Sequence, residues 1–503
     1  MAIARNYLAG LTYSIWSALV TLAVVPFYLK YLGIEAYGLI GFLVFTQAVV
    51  QLLDLGLGPT ISREVARCTA QGDLPRAAEL LRTLALIYWS TAGLILVCFV
   101  LAAPSIAQRW ITSEGLSSDV VAMAAALIGL VIACRWPMSL YQGVLVGAQR
   151  LAAASAINIA MVSISSIGAV VILAFVSPTI EALFLWQGAI ALVFSLVMMR
   201  VAWSVIGRSA PTHFSLARLR EVWRFSAGMS LVAVTAIVML QLDKGILSRM
   251  LSLKEFGHYM LAVLIANSLS VVLRPLFSTI YPRMTALVST AHTDQLVDFY
   301  GSGARLLASI LFPIAASIAL FSKDLVYVWT GDAATADSVA PLISLLVCGT
   351  ALNGVMNFPY ALQLAYGMTR LPLLINVGLI VVSVPITVFL TSTRGATGGA
   401  ASWAIMNGLY LLFGTWLTHR FLLRGIVARW LGRSVLMPLA QSLLVVGAVA
   451  WAVHSGSTSS PLRLAEAAIG TLGAILVNVS VDRNAARRVL RSAGLMGVFD
   501  LKP

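Results

Sequence analysis

The sequence repeats itself: motifs of the first half return in the second half in the same order, at a nearly constant distance of about 219 residues. Each copy contains roughly six hydrophobic spans. Duplicated helical bundles of this kind are typical of membrane transporters. The matched segments are Gly10-Leu11-Thr12 with Gly228-Met229-Ser230, Glu35 to Gly38 with Lys254 to Gly257, Thr60-Ile61 with Thr279-Ile280, and Gly147 to Leu151 with Gly367 to Leu371.

The composition places the chain in lipid rather than water. Of the 503 residues, 60% are hydrophobic and only 10% are charged, which leaves too little polar surface for solvation on all sides. Helices satisfy their own backbone hydrogen bonds in hydrocarbon, and about 20 apolar residues cross it. We therefore predict an all-α integral membrane protein with 14 transmembrane helices, near residues 8–28, 37–57, 83–103, 120–141, 152–176, 181–203, 225–247, 256–280, 303–322, 339–360, 371–391, 397–418, 435–453 and 462–481.

The two copies predict two pseudo-symmetric six-helix lobes followed by a C-terminal helical hairpin. Because six spans return the chain to its starting face, both lobes enter the membrane in the same direction. An amphipathic, basic segment between the lobes predicts a surface helix. The predicted parts are residues 1–204 for the N-lobe, 205–224 for the connector, 225–424 for the C-lobe, and 425–503 for the hairpin and a basic tail.

The basic residues indicate how the chain is oriented. The net charge is +14, which by itself would also suit a nucleic-acid partner. With the N-terminus in the cytoplasm, however, most of the 33 Lys and Arg fall in cytoplasmic connections, as the positive-inside rule requires. We therefore predict cytoplasmic N- and C-termini, lipid as the main surroundings, and no nucleic-acid partner.

Catalytic and metal-binding patterns are absent from the sequence. The five histidines are scattered without ligand spacing, and the four cysteines share no metal-binding or redox spacing. No phosphate-binding glycine-rich loop, paired carboxylates or nucleophile motif is present. The sequence therefore predicts no catalytic residue, no bound metal, no cofactor and no direct use of ATP.

Five charged residues within or at the ends of spans are the candidate functional residues: Asp54, Arg135, Asp243, Lys244 and Arg274. A charge at the centre of a span costs about 2.5–3.5 kcal/mol on insertion scales, so it usually serves a function. Other interpretations remain open. Arg274 could extend to the headgroups, Arg135 could face a lumen or anchor an interface, and the Asp243–Lys244 pair could be interfacial. Asp54 and Arg274 hold matched repeat positions, and an ion pair between them would form a latch.

The sequence also resembles a known family. The stretch Pro26–Gly38, followed by Gln51–Leu57 and Arg63-Glu64, is similar to the opening of Wzx-type polysaccharide (O-antigen) flippases. Those proteins belong to the MATE-like multidrug/oligosaccharidyl-lipid/polysaccharide flippase (MOP) superfamily. Gln241–Lys244 with Phe256–Tyr259 resembles the start of their second lobe. The resemblance extends over the whole chain in span number and order.

The resemblance implies two lobes around a central cationic cavity that faces the cytoplasm and the outside in turn. The implied cargo is an undecaprenyl-diphosphate-linked glycan, flipped across a bacterial cytoplasmic (inner) membrane, with a polysaccharide polymerase and a chain-length regulator as partners. By the same resemblance, Arg135, Arg274 and Lys244 are candidates for binding the diphosphate. Asp54 and Asp243 are candidates for gating or coupling.

Three other functions stay open at this level. A lipid II flippase has the same number of spans. A MATE-like drug or metabolite antiporter usually has twelve, and a cation site would favour carboxylates. A membrane glycosyltransferase or polymerase would be expected to carry catalytic acids or a large outer loop, and neither is seen.

Overall fold

The protein folds into apolar α-helices joined by short connections. The structure, a computed structural model, describes residues 2–54, 56–207, 234–456 and 459–481. Within these ranges the only β-type pairing is a single bridge between Thr112 and Ser252. The all-α class follows from the spans themselves, because an unpaired strand edge would leave backbone N–H and C=O groups unsatisfied in lipid.

Six helices and two short turns form the first part of the chain. Helix α1 contains a break at Gly33, where φ is 79° and ψ is 174°, so it is two helices that meet at a residue without a Cβ. This break separates the first two predicted spans. The elements are α1 (Ala2–Val50), a 3₁₀ turn (Gln51–Asp54), α2 (Leu57–Gln71), α3 (Leu74–Ser105), a π-helical turn (Ile106–Trp110), α4 (Ser118–Gly147), α5 (Leu151–Phe175) and α6 (Ile180–Ile206).

The second part of the chain is also helical. Its longest helix, α14, is broken at Gly395, where φ is 57°. The elements are α7 (234–250), α8 (Leu253–Asn267), α9 (Ser270–Ser289), α10 (Thr293–Leu320), α11 (Ser322–Thr330), α12 (Ala333–Val355), α13 (Asn357–Ala365), α14 (Arg370–Leu409), a π-helical turn (Tyr410–Gly414), α15 (Thr415–Phe421), α16 (Val427–Trp430), a π-helical turn (Leu431–Leu436), α17 (Met437–Ser455) and α18 (Ser460–Val481).

The helices confirm the predicted class of an all-α, multi-pass membrane protein. In the described part of the chain, ten helical segments are long and apolar enough to cross a membrane. Two of them contain the breaks at Gly33 and Gly395, and each covers two predicted spans. Helix α7 overlaps the predicted seventh span, and α8 and α9 together overlap the predicted eighth span. The number fourteen stays a prediction, and most of the connector 205–224 and the basic tail lie outside the described residues.

The first compact unit, Met1–Gly257, is built around α4. This helix is buried on several faces because α2, α3 and α6 pack against it. Its side chains form one hydrophobic core with theirs, including Tyr88, Tyr141 and Met198, each at most 1% exposed. Burying a large apolar side chain contributes about 1.5–3 kcal/mol when the alternative is water. Here α4 is a rigid platform for the residues it carries.

Two glycines in repeat-equivalent positions meet reciprocally in this unit. A Cβ added to Gly38 would collide with the carbonyl oxygen of Leu253, and one added to Gly257 would collide with that of Ile34. Each glycine therefore contacts the residue four positions before the other. The two segments approach so closely that only a residue without a Cβ fits at either position.

The second compact unit, His258–Pro503, contains the C-terminal hairpin. Helices α17 and α18 pack on α10 and α11 through a small hydrophobic cluster around Phe321 and Val446. Polar contacts add to this packing. The buried carboxylate of Asp324 lies 3.5 Å from Arg463 and 3.6 Å from His454, so α11 is joined to both helices of the hairpin.

Candidate functional site

Arg135 lies in α4 and is held by side chains from two other helices. Its Nη1 donates to Gln47 Oε1 at 2.9 Å, and its Nη2 donates to Gln187 Oε1 at 3.3 Å. Gln47 belongs to the second half of α1 and Gln187 to α6. Three helices of the first unit therefore converge on one guanidinium. Pro137 follows in α4, which continues through it as a helix.

The positive charge of Arg135 is not compensated within the described ranges. No carboxylate of the described residues lies within ion-pair distance of it, whereas Lys244 in α7 is paired with Asp243. Its Nε–H is buried and makes no hydrogen bond to any described residue. Tyr28 and Tyr13 lie within electrostatic range of the guanidinium. Because arginine offers five N–H donors and no acceptor, donors remain for an anion.

The two glutamines present further donors at this site. Each carboxamide oxygen accepts a hydrogen bond from the guanidinium, so the Nε2 group of each glutamine remains as an additional donor. Neither Nε2 has a hydrogen-bond partner in the described part of the chain. Gln187 is buried, and Gln47 and Arg135 are partly exposed. We define Arg135, Gln47 and Gln187 as the N-unit donor site. It combines one positive charge with amide N–H groups, which suits phosphate oxygens.

Asp54 has a local structural contact that the sequence did not indicate. One carboxylate oxygen accepts a hydrogen bond from the Tyr88 hydroxyl, and the other accepts one from the N–H of Gly58 at 3.2 Å. The carboxylate thus caps the start of α2 and connects it to α3. The proposed latch with Arg274 stays a prediction, because the side chain of Arg274 lies outside the described residues.

Asp243 and Lys244 form a buried ion pair in α7. Lys244 Nζ lies 3.0 Å from Asp243 Oδ1 and 3.1 Å from Oδ2, and it also donates to the carbonyl of Leu240 at 2.8 Å. Both residues are less than 9% exposed. The two charges therefore compensate each other. The predicted roles of Lys244 in binding cargo and of Asp243 in gating or coupling stay predictions, and no contact in the described ranges joins this pair to Arg135.

Sequence reasoning identified Arg135 but missed Gln47 and Gln187. A signal for them was present, since glutamine is uncommon in the middle of an apolar span and usually needs a polar partner there. What the sequence did not show was which partner. Gln47 and Gln187 lie 88 and 52 residues from Arg135 along the chain, so only the folded bundle brings them together.

The fold defines the class of protein first. It is similar to the inward-facing form of a multidrug resistance MATE family transporter of the MOP superfamily, with a TM-score of 0.65 and 15% identity over 86% of this chain and all of the other. It is equally similar to the lipid II flippase MurJ in an inward closed conformation, with a TM-score of 0.65 and 11% identity over 93% of this chain and 98% of the other. The chain therefore has the fold of MOP superfamily transporters.

The family follows from the sequence. The family model described as polysaccharide biosynthesis protein matches residues 3–288, and the chain belongs to that family. A relative from Shigella flexneri, provisionally described as an O-antigen transporter, is 22% identical over 425 residues, which is 81% of this chain and 97% of the relative. These findings confirm the resemblance found in the sequence. They also agree with the prediction of a transporter rather than an enzyme.

Proposed function

We propose that this protein flips an undecaprenyl-diphosphate-linked oligosaccharide from the cytoplasmic to the outer leaflet by alternating access, for polysaccharide biosynthesis. The observation that carries the proposal is the uncompensated guanidinium of Arg135 within a membrane span, in a chain of the polysaccharide biosynthesis family. Arg274 is a second candidate for the diphosphate.

The physical chemistry of the cargo fits this site. A diphosphate cannot cross hydrocarbon unaided, because an ion there loses its hydration. Guanidinium binds phosphate oxygens through two parallel N–H donors, and the amide donors of Gln47 and Gln187 extend that array. An inside-negative potential also favours outward movement of negative charge, by about 2.3 kcal/mol per charge per 100 mV. The potential can therefore set the direction of transport.

A cationic drug fits the first unit less well. It would meet the positive charge of Arg135, which the neutral amides of Gln47 and Gln187 do not cancel. The carboxylates that could attract it, Asp54 and Asp243, are engaged by Tyr88 and by Lys244 respectively. A lipid II precursor would present the same diphosphate, so its sugar is what distinguishes it from the proposed cargo.

The location and partners follow from this role. We propose that the protein lies in the bacterial inner membrane with both termini in the cytoplasm, where the basic connections predicted from the sequence would face the anionic leaflet. Its product would be the substrate of a polysaccharide polymerase and of a chain-length regulator on the outer side.

The test uses a deletion strain complemented with variants of Arg135. Arg135→Ala should reduce outer-leaflet repeat units roughly tenfold or more, and Arg135→Lys should have an intermediate effect, because an ammonium cannot engage two acceptors in one plane. The measurement is labelling of lipid-linked glycans on spheroplasts with a membrane-impermeant reagent. Arg200→Ala, at an exposed position of α6, is the matched control.

Two results would contradict the proposal. One is normal display of the glycan in the deletion strain or in the Arg135→Ala strain. The other is accumulation of lipid II with normal polysaccharide precursors, which would assign the protein to cell-wall synthesis instead.

A further inference from the structure

We infer that Gln47 and Gln187 determine the specificity of the site. They hold the Arg135 guanidinium in place without neutralising its charge. The site therefore selects an anionic headgroup over a cationic one. This inference rests on the proposed function and adds to it the residues that set the sign of the accepted charge. The side chain of each glutamine makes its contact with Arg135 of α4 and not with a residue of its own helix.

A guanidinium in a membrane span needs hydrogen-bond acceptors, because acyl chains supply none. A carboxylate would meet that need but would also cancel the charge. The same unit contains an example of this solution, where Asp243 compensates Lys244 in α7. At Arg135 the acceptors are instead two neutral carboxamide oxygens, at 2.9 Å and 3.3 Å. The side chain is thereby fixed while its full charge remains available to a ligand.

Glutamine, unlike glutamate, also has an amide nitrogen that can donate hydrogen bonds to a ligand. With Oε1 accepting from the guanidinium, Nε2 keeps two N–H donors that no described residue engages. A phosphate oxygen accepts from such donors, and an ammonium or other cation does not. A glutamate in the same place would present only acceptor oxygens. Replacing the amide nitrogen of each glutamine with the second carboxylate oxygen of glutamate would therefore remove the donors and neutralise the charge of Arg135.

Substitution by glutamate distinguishes this inference from the alternative that the two glutamines only position Arg135. If the glutamines only orient Arg135, glutamate should serve at least as well, because a charge-assisted hydrogen bond is stronger than a neutral one. Methionine, which is similar in length but cannot accept such a bond well, should then be the damaging substitution. If the glutamines set the sign of the charge, glutamate should be the damaging substitution and methionine the mild one.

The experiment measures binding of sugar-free undecaprenyl diphosphate to the full-length protein in lipid nanodiscs by microscale thermophoresis. Gln47→Glu and Gln187→Glu should each raise Kd roughly tenfold or more, and Gln47→Met and Gln187→Met about threefold or less. The double variant Q47E/Q187E should also bind the cationic probe ethidium, which wild type should not. Gln149→Glu, at an exposed position just after the end of α4 and roughly 20 Å from Arg135 along the helix, adds the same charge away from the site and should leave Kd unchanged.

The outcomes separate this inference from the proposed function. If Arg135→Ala leaves binding of undecaprenyl diphosphate unchanged, the site of the proposed function is wrong. If Arg135→Ala weakens binding while the glutamate variants bind like wild type, or the methionine variants lose as much as the glutamate variants, the glutamines act by positioning alone and the inference is overturned. Size-exclusion profiles and thermal stability of every variant exclude misfolding as the cause.

Discussion

The reciprocal glycine contact makes a quantitative prediction about stability. In Gly257→Ala the new methyl group would overlap the Ile34 carbonyl oxygen and lie 3.2 Å from the backbone nitrogen of Gly38. In Gly38→Ala it would overlap the Leu253 carbonyl oxygen and lie 2.9 Å from Leu253 Cδ1. All three nearest atoms in each case belong to the backbone or to a buried side chain. None can move away as the end of an exposed side chain could.

The magnitude follows from two opposing effects. Overpacking of a closely packed site costs about 1–3 kcal/mol, since the backbone must shift by a fraction of an ångström to about one ångström. Replacing glycine with alanine inside a helix returns up to about 1 kcal/mol through helix propensity. We therefore expect each variant to lose about 1–2 kcal/mol. For a unit of this size that corresponds to a decrease in Tm of about 2–8 °C.

The assay is thermal unfolding of the purified protein in detergent, followed by fluorescence-detected size exclusion. The matched control is Gly93→Ala in α3, where an added Cβ meets nothing within 4 Å. That variant should match or slightly exceed the stability of wild type. If Gly257→Ala and Gly38→Ala were as stable as Gly93→Ala, the two segments would not approach this closely and the reciprocal contact would be refuted.

Two further predictions concern a buried ion pair and a helix cap. Lys244→Met should destabilise the protein by about 3 kcal/mol, because the buried Asp243 carboxylate loses the ammonium group paired with it. The double variant Asp243→Asn/Lys244→Met should recover most of this loss in the same thermal assay. Equal losses in the single and double variants would contradict the pairing. Hydrogen bonds from the side chain and backbone of Thr335, at 2.5 Å and 2.9 Å, hold the pKa of Asp332 below its ordinary value. The cap should therefore stabilise α12 above the unfolded pKa of Asp332 and lose its effect as pH falls through the lower, folded pKa. Asp332→Ala should cost about 1 kcal/mol at pH 7 and converge with wild type in acid, and a difference that did not depend on pH would count against the cap.

Some properties of this protein were determined by the sequence alone. Apolar spans of about 20 residues can only be helices in lipid, because the backbone must satisfy its own hydrogen bonds there. The matched motifs of the two halves are also a property of the sequence, whereas the contact between Gly38 and Gly257 is seen only in the folded chain. The short motifs near Gly38 and Gly257 carried the resemblance to polysaccharide flippases without any knowledge of the folded bundle, and the chain belongs to the polysaccharide biosynthesis family.

Whether each intramembrane charge is compensated by a partner, in contrast, was decided only by tertiary structure. The sequence marked Asp54, Arg135 and Lys244 alike, since each is a charge in or beside an apolar span. In the folded chain they have different partners. Asp54 accepts a hydrogen bond from Tyr88, 34 residues away, and Lys244 forms an ion pair with its neighbour Asp243.

The partners of Arg135 show the same dependence on tertiary structure. Its guanidinium meets two neutral amides, from helices 88 and 52 residues away. A charge costs little in a membrane when a countercharge is near and remains available to a ligand when only neutral acceptors are near. Which of these holds depends on distances of a few ångströms between distant parts of the chain, and hydropathy and spacing do not contain those distances.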